Sequence, residues 1–265
     1  MESRAAKVLI RLGALFTLVF LYIPLLVVIV YSFNDSVGQR WPIQDYTLRW
    51  FSVAWQNEDV RSSLLNSVKV ATAATALALL IGSSAAFAVH RFSFVGRNAV
   101  SFILVLPIAL PGIVTAIALN SAINTFRFPF SLWTIIIGHI TFCIVVVYNN
   151  VLARLRRTGG SLEEASMDLG ADVFQTFRHV TFPAMRSALL AGALLAFALS
   201  FDEIIVTTFT AGPRVQTLPL WIFSNLARPN QAPVVAVVAA VLVVLSFVPV
   251  WLAQRLSADP AGGRL

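Results

Sequence analysis

The sequence predicts an all-α integral membrane protein with six transmembrane helices, and three observations predict it. Hydrophobic residues make up 58% of the 265 positions, charged residues only 12%, and the mean hydropathy is +0.83, more apolar than a water-soluble domain needs to cover its surface. Apolar stretches at 8–33, 64–89, 99–122, 132–153, 187–211 and 233–253 are each long enough to cross about 30 Å of hydrocarbon as helix. The polar segments fall between these stretches, so the chain reads as one transmembrane domain over 1–265.

The first stretch follows Arg4 and Lys7 as a secretory leader would. Its apolar run exceeds the roughly 7–15 residues of a leader's core, and no small-x-small cleavage site follows before Phe33-Asn34, so it reads as a permanent span. With six spans both termini share one side. Termini in the cytoplasm place 12 of the 19 Lys and Arg residues inside, the direction that the positive-inside rule favours. The net charge of +7 and pI near 10.5 are then explained by orientation rather than by nucleic acid, because the basic residues are scattered between apolar segments.

The Ala/Ser-rich stretches 71–88 and 191–200 permit close helix approach in lipid. In the third span Pro107 and Pro111 each delete a backbone donor, which marks a packing kink or a gating hinge. The single cysteine, Cys143, falls in the fourth span and reads as a small apolar filler. His90, His139 and His179 are too far apart for a local metal pair, and H-E-x-x-H is absent, so no metal site is expected.

Between the fourth and fifth spans lies a loop, 154–186, far longer than the roughly 2–8 residues that usually join helices. Its signals are those of an ordered element. Ser161-Leu-Glu-Glu164 reads as a capping box, Leu162, Ala165 and Leu169 recur at helical spacing, and Gly170 follows where a left-handed cap is cheapest. Asp172-Val-Phe-Gln175 reads as a second capping box starting a helix that carries Phe174 and Phe177, which Pro183 ends before opening the fifth span. Two helices this short are marginal alone in water. They dock either on the chain's own spans or in a groove of a soluble partner, with Leu169, Phe174 and Phe177 as apolar anchors.

Glu164-Ala-Ser-Met-Asp-Leu-Gly170, followed by Phe177, Val180 and Pro183, resembles the EAA loop of ABC importer permeases, a pattern of roughly E-A-A-x(3)-G followed by F, V and P. Ser166 replaces the second alanine, and the further proline often found past Pro183 is missing. Tyr31-Ser-Phe-Asn34, Leu106-Pro-Ile-Ala-Leu-Pro-Gly112, Ser200-Phe-Asp-Glu203, Ala211-Gly-Pro213 and Thr217-Leu-Pro-Leu-Trp221 are similar to the spermidine/putrescine subgroup, specifically its second permease. The resemblance implies a MetI-like fold in a prokaryotic inner membrane. It also implies a second homologous permease, two cytosolic ATPase subunits and an external substrate-binding protein. Glu164, Ala165, Leu169, Gly170, Phe174, Phe177 and Pro183 are then the ATPase-coupling loop. The chain carries no G-x-x-x-x-G-K-[ST] phosphate loop, since Gly159-Gly160 and Gly262-Gly263 lack the lysine. No cofactor is expected in this chain, and ATP and Mg belong to the partner ATPase.

Asp202 and Glu203 need a reason to be within a span, where an acid near the centre costs about 2.5–3.5 kcal/mol. They form an ion pair with a neighbour, or they line a path for a cationic substrate. On an unbroken fifth helix Ser200, Glu203, Thr207 and Thr210 share one polar face while Asp202 lies about 100° away. That ranks Glu203 ahead of Asp202. The candidate pathway is Glu203, Asp202, Ser200 and Thr207, with Trp221 added by the resemblance. The leading expectation is therefore import of a polyamine-like cation through a path of which this chain forms half. Alternatives are an ion-coupled carrier or channel for small cations, and an importer of the same type for iron, phosphonate or opine. A membrane enzyme is disfavoured, because G-x-S-x-G and zinc motifs are both missing.

Overall fold

Inside lipid every backbone amide must find its partner within the protein, and a helix achieves that locally. The computed structural model describes the backbone of residues 4–257 and the side chains of residues 6–247, and helix dominates throughout. Arg264 and Gly262-Gly263 lie outside the described residues. In chain order the helices are α1 Arg4–Tyr31, α2 Arg49–Gln56, α3 Glu58–Arg91, α4 Arg97–Ala109, α5 Gly112–Thr125 and α6 Leu132–Thr158. They continue with α7 Ser161–Asp168, α8 Val173–Thr176, α9 Phe182–Asp202, α10 Ile205–Thr210, α11 Leu218–Asn225 and α12 Ala232–Ser257. Among the described residues five helices are long and apolar enough to cross a membrane, or six if α4 and α5 count as one broken span.

Two expected spans are not straight rods. The stretch 99–122 bends by 107° between α4 and α5. The break sits at Leu110, which is extended (φ −85°, ψ 144°) ahead of Pro111, because a proline ring clashes with a helical residue before it and offers no amide to continue the ladder. The stretch expected at 187–211 begins earlier, at Phe182, and stops at Asp202. Glu203 is extended (φ −74°, ψ 120°), and the short α10 resumes after it.

The chain falls into two compact units, Met1–Arg61 with Trp221–Val250 and Ser62–Leu220 with Trp251–Leu265. In the first, α1 leaves apolar side chains such as Leu9 and Phe16 exposed along its length, a surface suited to lipid rather than water. After it Phe33 packs on Phe51 with ring centroids 5.2 Å apart, and buried Asn34 donates to the Arg40 carbonyl at 3.2 Å. In the second unit α6 is the spine. Its Cys143, Val147, Tyr148, Val151 and Leu155 cluster with Ala78, Ala86 and Val89 of α3 and with Met185 and Ala196 of α9. Cys143 is a fully buried packing residue, as read from the sequence. Ala71, Ala74, Ala78 and Ala86 are likewise fully buried, so the small residues of α3 serve the close helix approach by which membrane helices associate.

Candidate functional site

The loop after α6 folds into two short helices joined by a left-handed turn. Gly170 has φ +87°. Its amide donates to the Met167 carbonyl (2.9 Å) and the next amide, of Ala171, to the Ser166 carbonyl (3.2 Å), the paired bonds of a Schellman cap. Asp172 then caps α8: its Oδ1 accepts from the Gln175 amide at 2.8 Å while Gln175 Oε1 accepts from the Asp172 amide at 3.1 Å. The first capping box does not form as the spacing suggested. Gly160, not Ser161, is the N-cap of α7, and Ser161 is its first helical residue, with no side-chain cap. The register moves by one because Gly159 (φ +69°) already turns the chain out of α6.

That shift turns Glu163 into an anchor. Its carboxylate pairs with Arg91 at the end of α3 (2.9 Å) and accepts from the Thr181 hydroxyl (2.6 Å). Ser166, at the motif's departure from alanine, lies 3.1 Å from the buried Thr176 hydroxyl and joins the two short helices. Of the expected anchors, Leu169 (89% exposed) and Phe174 (68%) are free on the surface beside Leu162 and Val173. Phe177 is turned back instead: its ring meets Phe87 of α3 edge-on at 5.9 Å and Phe182 at 6.2 Å. Glu164 and Ala165 lie on α7.

Pro183 does not end the second helix. The chain stays helical from Val173 to Asp202, a run of 30 residues, through a π-helical turn at Phe177–Thr181. There the Phe182 amide reaches back to the Phe177 carbonyl, five residues rather than four, which opens the turn where the missing Pro183 donor and its ring have to fit. Loop and fifth span are thus one continuous rod.

The rod ends at the two acids. Asp202, its last residue, is exposed. Glu203 is half-buried, and its Oε1 accepts from the Val206 amide at 2.9 Å, capping α10. The single polar stripe expected over Ser200–Thr210 is not formed, since α9 ends between its members. Ser200, Thr207 and Thr210 point into the protein and are 3%, 0% and 0% exposed. What gathers Ser200 and Thr207 is His139 of α6, fully buried, with Nδ1 2.8 Å from Ser200 Oγ and Nε2 2.9 Å from Thr207 Oγ1. A histidine inside a span is a signal by itself, but its partners are 61 and 68 residues away in sequence, beyond any spacing rule. Trp221 is buried on α11, where its carbonyl accepts from Asn225 Nδ2 at 2.9 Å, and it belongs to the other compact unit. Among the described residues no three His, Cys, Asp or Glu side chains converge as metal ligands.

Next to the histidine, Gly138 lets α10 lie directly on α6: a Cβ there would stand 2.8 Å from Val206 Cγ1. We expect Gly138→Ala to lower the melting temperature of the purified protein, by an overpacking cost of about 1–3 kcal/mol, without changing the protease sensitivity of the 154–186 loop.

A family model described as the binding-protein-dependent transport system inner membrane component matches residues 78–260. The chain is 35% identical over 245 residues to the spermidine/putrescine transport system permease protein PotC of Escherichia coli K12, covering 92% of each. It is 30% identical over 247 residues to the putrescine transport system permease protein PotI of the same organism, covering 89% of this chain and 87% of that one. Among solved structures it resembles, with a TM-score of 0.75 and 14% identity, a chain of a bacterial ABC transporter involved in import of the acidic polysaccharide alginate. That match covers 96% of this chain and 98% of the other.

Proposed function

Because the chain belongs to the family of binding-protein-dependent transport system inner membrane components, a family of multi-pass transport permeases, we propose that it forms half of the translocation path of an ATP-driven importer of polyamines. The observation that carries the reading is the joining of two features on one rod. The helix that starts in the loop at Val173 ends at Asp202, an exposed acid at a break in the fifth span. A carboxylate within a span is costly unless it faces a cation or a partner, and a linear di- or triammonium substrate supplies the cation.

On this reading the path is completed by a second homologous permease, and an external binding protein delivers the substrate. Two cytosolic ATPase subunits hold the ATP and Mg, for which this chain has no phosphate loop. Both termini are cytoplasmic, which puts the 154–186 loop on the ATPase side, and Leu162, Leu169, Val173 and Phe174 are its apolar contact. Asp202 is the leading pathway residue. Glu203 is occupied as a cap, and Ser200 and Thr207 support the path from within their own compact unit.

The test is spermidine and putrescine uptake by the complex of permeases, ATPases and binding protein in proteoliposomes, together with labelling of Leu169→Cys. Uptake requiring ATP and surviving dissipation of ion gradients, with Leu169→Cys labelled from the ATPase side and protected when the ATPase is bound, is the expected result. Uptake that follows an ion gradient after ATP is removed would instead establish the carrier reading.

A further inference from the structure

α6 is bonded to the fifth span on both sides of its break. Before the break Cys143 Sγ lies 3.4 Å from the Ala196 carbonyl, and after it Thr134 Oγ1 donates to the Thr210 carbonyl at 2.7 Å. Among the described residues only His139 grips both sides at once, through Ser200 of α9 and Thr207 of α10. From Thr207 the contact continues into the break itself, where its hydroxyl donates to the Glu203 carbonyl at 2.8 Å. On an unbroken helix residues seven apart stand about 10.5 Å from each other along the axis. One imidazole reaches both hydroxyls because the chain leaves the helix at Glu203.

The ring therefore sets the separation of the two helix ends, and with it the postures of the acids between them. Asp202 is held on the last exposed position of α9. Glu203 is turned so that its carboxylate meets the Val206 amide. We propose that His139 is a positioning residue of the transport path: by bridging Ser200 and Thr207 it keeps Asp202 reachable and Glu203 engaged, and so determines which acid an entering cation meets. This rests on the reading of the fifth span as part of the path.

The experiment measures the labelling rates of Asp202→Cys and Glu203→Cys by a membrane-impermeant methanethiosulfonate in the fully assembled complex, with buried Cys143 as internal background. With His139 in place the first site should react at least about tenfold faster than the second, because the backbone holds position 202 exposed and position 203 half-buried. In a His139→Leu background the ratio should collapse to within about threefold. His139→Gln, whose amide also offers a donor and an acceptor, should restore it. An unchanged ratio with His139→Leu overturns the proposal. Should that variant not assemble, Ser200→Ala combined with Thr207→Val removes the ring's partners at almost constant volume and decides in the same way: collapse supports the bridge, and an unchanged ratio overturns it.

A structural filler would leave substrate kinetics in proportion to the amount assembled. The bridge instead predicts, for the Ser200→Ala, Thr207→Val complex, a rise in KM for spermidine that is larger than the change in maximal uptake per assembled complex. The labelling ratio needs no substrate, so a complex that failed to carry polyamines would defeat the functional reading while leaving the test of His139 intact.

Discussion

Asp202→Asn is expected to cut spermidine uptake by about tenfold or more, at a saturating supply of loaded binding protein, while the complex assembles normally. Tenfold corresponds to about 1.4 kcal/mol, a modest share of what an ammonium gains from a carboxylate in a poorly solvated path. Glu203→Gln is expected to lose less, because a glutamine oxygen can still accept from the Val206 amide and keep α10 capped. Glu203→Leu removes that acceptor and should reduce thermal stability, by about the 1 kcal/mol typical of a lost cap, more than it changes selectivity. Uptake of an uncharged analogue separates the two effects: Asp202→Asn should spare it, and loss of the cap should not. Normal spermidine transport by Asp202→Asn, with transport abolished by Glu203→Gln, would return the leading role to Glu203.

Gly170→Val is expected to uncouple ATP hydrolysis from transport, with substrate-stimulated ATPase reduced several-fold in a complex that still reaches the membrane. Nothing lies within 4 Å of the position a Cβ would take at Gly170, so volume is not the obstacle. Conformation is: at φ +87° an L side chain is strained, by about 1–2 kcal/mol for an ordinary residue and more when β-branched. The strain is relieved by abandoning the Schellman bonds to Met167 and Ser166, which redirects α8 and the 30-residue rod that begins there. Gly170→Asn is the control, since asparagine enters the left-handed region more readily than other residues. It should keep most of the coupling. Equal damage from both substitutions would mean that the side chain, rather than the backbone turn, matters at this position.

Much of the loop was legible because its signals are local. The Gly170 turn and the Asp172 cap depend on neighbours within four residues, and both formed where spacing placed them. The Ser161 cap was misplaced by one residue because Gly160 competes for the same position, and spacing cannot arbitrate between adjacent candidates. Spacing makes Pro183 a helix terminator, yet a π turn lets a helix run past a proline that an α turn could not admit. Phe177 looked equivalent to Phe174 by helical spacing, but Phe87, ninety residues earlier, claims it.

By itself the sequence determined that this is a helical membrane protein, where its apolar stretches run, and that the loop after α6 is folded; all of these follow from composition, length and bonds between near neighbours. Only the tertiary structure decided which acid is free. Helical periodicity assumes an unbroken helix, and α9 breaks at Glu203, where the loss of helical bonds is offset by the Glu203 cap on α10 and by a histidine more than sixty residues away. The pairing of His139 with Ser200 and Thr207 is a property of two helices lying side by side, and no pattern along either one encodes it.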